Sequence, residues 1–164
     1  MKRVLIVGPS GSGKSTLARR LRDVLHLPLY HLDNIWWKDD KSHISRDEFD
    51  KALEKLLAKE EWIIDGDYSR TYRVRMEKAD TIIFLDYPLE LCLESAKNRV
   101  GTKRDDIPWI EEEFDPEFYQ WILDWPKDKR PVLLSLLEEF KDKETFILHN
   151  RNEADELIEK LSIQ

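Results

Sequence analysis

The residues best suited to chemistry lie near the amino terminus, in the run Gly8-Pro9-Ser10-Gly11-Ser12-Gly13-Lys14-Ser15-Thr16. Its spacing, G-x-x-x-x-G-K-[ST], allows consecutive backbone N–H groups to converge on phosphate oxygens. A lysine at this position reaches the β- and γ-phosphates, and the serine hydroxyl ligates Mg²⁺. Residues 8–16 are therefore predicted to be a phosphate-binding loop (P-loop), with Lys14 acting on the phosphates and Ser15 as a metal ligand.

The segments on either side of the P-loop support this interpretation. An apolar run, residues 4–7, precedes the loop, and Leu17, Ala18, Leu21 and Leu25 follow it at helical spacing. This predicts a strand over residues 3–7 and a helix over 13–25, whose positive dipole end faces the phosphates. A fortuitous glycine-rich turn would not lie between a strand and a helix in this way.

Two further strands are followed by carboxylates. A predicted strand at 28–32 leads into Asp33, and one at 62–65 ends in Asp65. Since ligands of parallel sheets bind beyond the carboxyl ends of the strands, both side chains are expected near the P-loop. Asp65 is predicted to bind Mg²⁺, with a structural Asp-Gly turn as the alternative. Asp33 is predicted to receive or deprotonate an acceptor hydroxyl, with a capping turn as the alternative.

Basic residues are needed where phosphoryl transfer spreads negative charge over the migrating group. The chain supplies three groups of them, namely Arg70, Arg73 and Arg75; Arg99, Lys103 and Arg104; and Lys129 with Arg130. The first group follows a strand, where a phosphate-bearing acceptor would dock. Arg99 and Arg104 border a charged segment without strand character, and they are the two predicted to contact the transferred phosphoryl group.

Two other groups of side chains have alternative interpretations. Trp36 and Trp37 would form an aromatic wall against a base or sugar, or pack a helix against the sheet. His31 lies beside Asp33 and is interpreted as structural, with contact to a ligand as the alternative. The four histidines show neither i,i+4 pairing nor Cys/His spacing, so the sequence indicates no zinc site.

Strand and helix patterns alternate along the chain, which predicts an α/β fold with a parallel sheet covered on both faces. Ser45 and Glu48 form a capping box before a helix at 46–59. The remaining predicted elements are strands at 81–85 and 144–148 and helices at 88–99, from 115, from 131 and after 152. The chain is predicted to be one domain, residues 1–164, with a mobile lid at about 100–130.

Composition limits the possible partners. The formal net charge of −7 argues against broad nucleic-acid affinity, so direct DNA binding is not expected. No apolar stretch is long enough to cross a bilayer. The single cysteine, Cys92, cannot form an internal disulfide and has the spacing of a helix core residue. These features predict a cytoplasmic protein without a membrane partner.

Other classes of P-loop protein fit the sequence less well. Thr102-Lys103-Arg104-Asp105 matches a guanine-reading pattern, but that motif should close an apolar strand and here follows Ser95-Ala96-Lys97-Asn98. The D-x-x-G pattern of GTPases is absent. A mechanical ATPase would need a larger sheet and cations supplied by neighbouring subunits. The small size, the predicted lid and the acids after two strands favour a small-molecule kinase.

Several segments together resemble the bacterial topology modulation proteins, which are related to adenylate kinase. These are residues 31–33 with Trp36-Trp37, residues 62–68, 79–88 and 91–93, and Arg130-Pro131. The resemblance spans essentially the whole chain. It implies a three-layer nucleotide-kinase fold with strand order 2-3-1-4-5, ATP as phosphoryl donor and residues 8–16 as its binding site. The chain departs from the family pattern at Asp67, where asparagine is common, and in its more acidic lid.

Two functional hypotheses follow. In the first, the protein is an ATP- and Mg²⁺-dependent kinase that phosphorylates a hydroxyl or phosphate group of a small acceptor, a nucleotide or another hydroxylated or phosphorylated metabolite. Its site would contain Lys14, Asp33, Arg99 and Arg104, with Ser15 and Asp65 on the metal. In the second, which the family resemblance implies, it is an ATP-sensing regulator linked to DNA topology, with little or no turnover.

Overall fold

Five parallel strands form one sheet in the order β2-β3-β1-β4-β5 in the computed structural model, which describes all residues from Met1 to Gln164. The strands are β1 (Arg3–Val7), β2 (Leu29–His31), β3 (Trp62–Asp65), β4 (Thr81–Leu85) and β5 (Glu144–Leu148). Parallel pairing brings the carboxyl ends of β1, β2 and β3 to one edge. The α/β class, the all-parallel sheet and the strand order are therefore confirmed.

Eight α-helices connect and cover the strands. They are α1 (Lys14–Leu25), α2 (Leu32–Trp36), α3 (Arg46–Leu57), α4 (Tyr72–Lys78), α5 (Leu89–Asn98), α6 (Pro116–Asp128), α7 (Arg130–Glu139) and α8 (Arg151–Ser162). The capping box of α3 forms as the sequence predicts: Ser45 accepts from the Glu48 amide, and Glu48 accepts from that of Ser45. None of the helices combines the length and the apolar character that crossing a bilayer requires.

The sheet is buried on both faces, which explains why its strands read as continuous apolar runs. Along β1, Leu5 and Val7 belong to a core that includes side chains of α3, α4 and α7. Val4 and Ile6 face the opposite core, with side chains of α1, α5 and α8. Side chains alternate along a strand, so four consecutive apolar residues serve two separate cores. The result is the three-layer arrangement that the family resemblance implies.

Two short helices are missing from the sequence prediction. The strand predicted at 28–32 is shorter, because Leu32 begins α2 and is buried there. Helix α4 lies where only a cluster of basic residues was recognised. Its buried face consists of Tyr72, Arg75 and Met76, and the arginine among them interrupts the apolar spacing that predicts a helix.

The region predicted as a lid, residues 100–130, has two different parts. Residues 99–115 contain no helix or strand, and only Asp106 and Ile107 among them are buried. Helix α6 instead places Ile122 and Trp125 in the two cores on either side of the sheet. Movement of residues 99–115 would disturb far less apolar packing than movement of α6, and the lid itself stays a prediction.

Candidate active site

The P-loop connects β1 to α1 with backbone conformations that favour glycine. Gly11 and Gly13 have positive φ angles of 81° and 92°. A Cβ on Gly11 would lie 2.1 Å from the carbonyl oxygen of Cys92. The loop therefore needs glycine at position 11 to pass this closely along α5. Helix α1 begins directly after the loop, and the backbone N–H groups of its first turn have no partner within the helix.

Lys14 folds over the loop that precedes it. Its Nζ donates hydrogen bonds to the carbonyl oxygens of Gly8 and Pro9, each at 2.8 Å, and no carboxylate lies within salt-bridge distance. Burial lowers the pKa of Lys14, while the charges of Asp67, Asp65 and Asp33 oppose that shift. The ammonium group thus lies in a desolvated position surrounded by carboxylates that do not neutralise it by direct contact.

One cleft of about 1280 Å³ gathers the predicted functional side chains at the carboxyl edge of the sheet. Asp33 and Asp65 line it from the ends of β2 and β3, and Arg99 and Arg104 line it from the segment after α5. The P-loop contributes Ser10, Gly11, Gly13, Lys14, Ser15 and Thr16. Of the predicted loop residues, Gly8, Pro9 and Ser12 lie behind this surface and are buried. The fold therefore brings together residues separated by up to about 90 positions along the chain.

Asp33 is held by a tyrosine on the neighbouring loop. Its Oδ1 accepts a hydrogen bond from the Tyr68 hydroxyl at 2.6 Å. Burial raises the pKa of Asp33, and the negative charges of Asp106 and Asp65 add to the effect; the Tyr68 hydrogen bond opposes it. A carboxylate with a raised pKa accepts a proton more readily than one in water. Asp33 thus has the properties expected of a group that receives a hydroxyl proton.

Asp65 is paired with His31 in the floor of the cleft. Nδ1 of His31 lies 2.9 Å from both carboxylate oxygens of Asp65, which is 3% exposed. Burial opposes protonation of His31, but the hydrogen bond and charge of Asp65 outweigh it and raise the histidine pKa. The structural role expected for His31 is therefore to orient Asp65.

The two arginines after α5 differ sharply in their partners. Arg104 donates from Nε and Nη2 to the two carboxylate oxygens of Asp106, at 3.0 and 2.6 Å, and its Nη1 lies 3.4 Å from Glu111. The guanidinium of Arg99 makes no hydrogen bond, and its buried Nε has no partner. Burial and the neighbouring charge of Arg104 lower the pKa of Arg99. Arg99 thus has donors available for an anion, whereas those of Arg104 are engaged.

Asp106 is a site residue that the sequence did not identify. Its Oδ2 accepts a hydrogen bond from the Ser15 hydroxyl at 3.1 Å, and the residue is 4% exposed. Burial alone would raise the pKa of Asp106, but the hydrogen bonds and charge of Arg104, with the Ser15 hydrogen bond, lower it. In the sequence Asp106 is one of several acids in a charged segment, and no local pattern connects it to a serine 91 positions away.

The arginines after β3 are not available to a phosphate-bearing acceptor. Arg70 forms a two-pronged ion pair with Asp50, at 2.7 and 3.1 Å, and Arg73 forms one with Glu139, at 2.6 and 2.9 Å. Arg75 is fully buried and donates to backbone carbonyls of the loop after β3. Because each guanidinium already has its partners, the docking role suggested for this cluster is not supported.

The third basic group is engaged in the same way. Lys129 donates to the Ser69 hydroxyl at 2.9 Å and lies over the ring of Trp121. Arg130 forms a two-pronged ion pair with Asp86, at 2.8 and 2.9 Å. These contacts connect the junction of α6 and α7 to the segments that follow β3 and β4.

Aromatic rings line the cleft beside Asp33. Trp36 stacks on His43 with ring centroids 4.3 Å apart, and it forms T-shaped contacts with Phe49 and Tyr68. Trp37 meets Trp109 of the segment 99–115 at 5.3 Å, with the rings perpendicular. Trp36 thus packs against Phe49 of α3, and both tryptophans line the cleft, while a role as a wall against a base or sugar stays a prediction.

The side chains present fit a magnesium ion together with a phosphate chain. Ser15 and Asp65 supply oxygen donors, which Mg²⁺ prefers. No cluster of three or more His, Cys, Asp or Glu side chains is arranged to hold a metal ion by itself. This agrees with the usual mode of Mg²⁺ binding, in which one or two protein oxygens act together with phosphates. The partnerless donors of Arg99 fit the same anion.

Most of the chain, including the site, is similar to a known protein family. The sequence pattern described as an AAA domain matches residues 4–120, which include the P-loop, Asp33, Asp65 and Arg99. The chain belongs to the AAA domain family. The region that matches the family pattern begins within β1, includes β2 to β4 and ends within α6. No curated protein sequence is similar enough to count as a match.

Solved structures similar to this AAA domain include several small-molecule kinases. A shikimate kinase from Acinetobacter baumannii, in complex with shikimate, has a TM-score of 0.63 and 21% identity, covering 98% of this chain and 90% of its own. For a shikimate kinase from Bacteroides thetaiotaomicron the values are 0.60, 14%, 99% and 96%. For a gluconokinase from Sinorhizobium meliloti 1021 they are 0.56, 15%, 99% and 90%. These comparisons support a P-loop kinase-like fold and do not extend to the topology modulation proteins in particular.

Proposed function

We propose that this protein is an ATP-dependent kinase that transfers the γ-phosphoryl group to a hydroxyl group of a small molecule. The observation that carries the proposal is the arrangement of Lys14 and Arg99, two cations without carboxylate partners, in the same cleft as the Asp33 carboxylate. Unpaired cations in a desolvated position bind anions strongly, and a carboxylate with a raised pKa accepts a proton. The similarity to shikimate kinases and a gluconokinase supports the same reaction class.

Each residue of the site has a separate role in the proposed reaction. The P-loop amides and Lys14 hold the β- and γ-phosphates, and Arg99 neutralises charge on the migrating phosphoryl group. Ser15 and Asp65 would hold Mg²⁺, which supplies positive charge to the phosphate oxygens when bound. The acceptor oxygen forms a bond to the γ-phosphorus while the bond from that phosphorus to the β-bridging oxygen breaks. The products are ADP and a phosphate monoester.

Asp33 receives the proton in this scheme. The acceptor hydroxyl donates to the Asp33 carboxylate as the oxygen–phosphorus bond forms, and the proton then leaves to solvent. The Tyr68 hydroxyl occupies Oδ1 of Asp33, so it fixes the carboxylate and leaves Oδ2 for the acceptor. Arg104 is proposed to act through the segment it stabilises, since its guanidinium is held by Asp106 and Glu111.

Calorimetry and an ADP-release assay test the proposal together. We expect Lys14→Ala to abolish MgATP binding, because it removes the cation that spans the β- and γ-phosphates. The control is Lys141→Ala, since Lys141 is exposed and pairs only with Glu138 on the surface. We also expect the unmodified protein to release ADP faster when an acceptor is present, with a phosphate monoester visible by phosphorus NMR.

Two outcomes would count against the kinase. Unchanged ATP affinity in a folded Lys14→Ala protein would remove the proposed binding site. Tight ATP binding without stimulation by any nucleoside, sugar or hydroxy acid would exclude acceptor phosphorylation. That second result would favour the ATP-sensing regulator indicated by the resemblance to topology modulation proteins, and titration with duplex DNA over a range of salt concentrations would then test it.

A further inference from the structure

One end of the cleft is built from aromatic side chains rather than basic ones. We call it the acceptor end and define it by Trp36, Trp37, Phe49, Tyr68 and Trp109, which line the cleft beyond Asp33. The two neighbouring tryptophans and Tyr68 are half-buried, so parts of their rings remain open to the cleft. Rings of this kind provide flat apolar surfaces on which other rings pack.

The acceptor end carries no net positive charge. The arginine that lines it, Arg70, is neutralised by the two-pronged pair with Asp50. The carboxylates of Asp33 and Asp67 line the same region. Lys41 and Arg46 are also at its border, but both are exposed and therefore solvated. The desolvated cations whose charges reach Asp33 are Lys14 and Arg99, and the proposed reaction assigns both of them to the ATP phosphates.

An anionic acceptor requires the opposite arrangement. A carboxylate or phosphate that leaves water needs a free guanidinium fork or a desolvated ammonium to replace its hydration. At the acceptor end it would instead meet two carboxylates and an arginine already bound to an aspartate. Bringing like charges together on binding weakens the complex. Hydroxyl groups carry no such cost, because carboxylates accept their hydrogen bonds directly.

We propose that the acceptor is a hydroxyl-bearing ring compound without an anionic group, of the class that includes nucleosides and cyclic sugars. The inference rests on the proposed kinase function. The ring packs against the aromatic side chains of the acceptor end, and its reactive hydroxyl donates to Asp33. This separates the protein's acceptor from the acids named for the similar structures, shikimate and gluconate.

The test uses matched compounds that differ in one anionic group. The pairs are adenosine and adenosine 5′-monophosphate, glucose and glucuronate, and methyl shikimate and shikimate. In each pair that reacts, we expect kcat/KM for ADP release to be at least about tenfold higher for the neutral member. Phosphorus NMR then identifies the phosphate monoester, and the reacting pair distinguishes a nucleoside acceptor from a sugar acceptor.

A variant changes the charge of the acceptor end without touching the reacting groups. Asp50→Asn removes the partner of Arg70 and leaves its guanidinium available to an anion. We expect KM for the anionic member of the reacting pair to fall by about three- to tenfold, with kcat for the neutral member unchanged. Glu139→Gln is the matched control: it releases Arg73 from an equivalent pair outside the cleft, and we expect no change in acceptor preference.

The outcomes distinguish a failure of the neutral-acceptor inference from a failure of the proposed kinase function. A preference for the anionic members would overturn the neutral acceptor while leaving the kinase intact. An Asp50→Asn protein with unchanged acceptor preference would also count against it, because the pairing of Arg70 would then not set the selectivity. If no member of any pair stimulates ADP release although MgATP binds, the kinase itself fails, and the acceptor inference fails with it.

Discussion

The phosphate end and the acceptor end of the cleft use arginine in opposite ways. At the phosphate end Arg99 is half-buried and has no hydrogen-bond partner, whereas at the acceptor end Arg70 is bound in a two-pronged pair by Asp50. Basic residues are similarly dense in both sequence regions. The difference shows that the availability of a cation, rather than its presence, indicates where a negatively charged ligand binds.

The comparison predicts its largest effect at Arg99. We expect Arg99→Met to lower kcat by about 10³- to 10⁵-fold, the range associated with arginines that stabilise a transferring phosphoryl group. Folding should not suffer, because the substitution removes a buried cation that has no partner in the protein. Steady-state kinetics and thermal unfolding of the same preparation measure both expectations.

Arg104→Met is the natural counterpart of that variant. Asp106 would lose both hydrogen bonds from Arg104 while remaining buried, and removing one partner of a buried pair typically costs about 3–5 kcal/mol. We therefore expect Tm to fall more for Arg104→Met than for Arg99→Met, and kcat to fall less. The reverse order of the two effects would break the comparison between paired and unpaired arginines.

Asp33→Asn should produce the next largest loss of activity. Asparagine keeps an oxygen for the Tyr68 hydroxyl but cannot accept a proton, so we expect kcat to fall by about 10²- to 10⁴-fold. Burial raises the pKa of Asp33, so above the ordinary carboxyl pKa the unfolded chain loses this proton more readily than the folded protein. The aspartate therefore costs stability as pH rises through and beyond that window.

The same variant thus has a pH-dependent signature in unfolding. At neutral pH we expect Asp33→Asn to raise Tm by a few degrees, and below the ordinary carboxyl pKa we expect the two proteins to unfold alike. Thermal scans from acid to neutral pH measure this difference. A variant less stable than the unmodified protein at neutral pH would show that the Asp33 carboxylate is stabilised by its surroundings rather than strained by burial.

The smallest functional effect is expected in nucleotide binding, at Asp106. Asp106→Asn keeps an oxygen for the Ser15 hydroxyl and removes a negative charge beside the P-loop, so we expect MgATP to bind about fivefold more tightly. Asp105→Asn is the control, because Asp105 is exposed and lies 3.8 Å from Arg19 rather than against the loop. Weaker binding by Asp106→Asn in calorimetry would instead show that this carboxylate contributes to holding Mg²⁺.

Much of this fold can be predicted from the sequence, because local sequence patterns specify its main elements. The P-loop is contiguous, so the residue types that bind phosphate stand at fixed spacing within nine positions of the sequence. Strands β3 and β4 are buried on both faces and therefore read as unbroken apolar runs. The placement of Asp33 and Asp65 in one cleft is predictable because parallel topology brings strand ends together without any further information about packing.

Local sequence patterns do not predict which charged side chains pair with one another. Whether Arg70 is free depends on Asp50, which lies 20 positions earlier on another helix, and the partner of Ser15 comes from residue 106. Such contacts depend on the packing of elements against one another and leave no local periodicity. Helix α4 was missed for a related reason, because its inward face carries an arginine where an apolar residue would be expected.

That arginine, Arg75, stabilises the loop that carries the acceptor-side residues. It donates to the carbonyl oxygens of Gly66, Asp67 and Tyr68 and to the Thr71 hydroxyl, and burial lowers its pKa to about 10, so it stays charged at neutral pH. A lysine has three donors at one point and cannot span these acceptors. In a saturation mutagenesis survey, position 75 will therefore tolerate as little change as the positions that contact ligands, although its side chain lies beneath them and meets neither nucleotide nor acceptor.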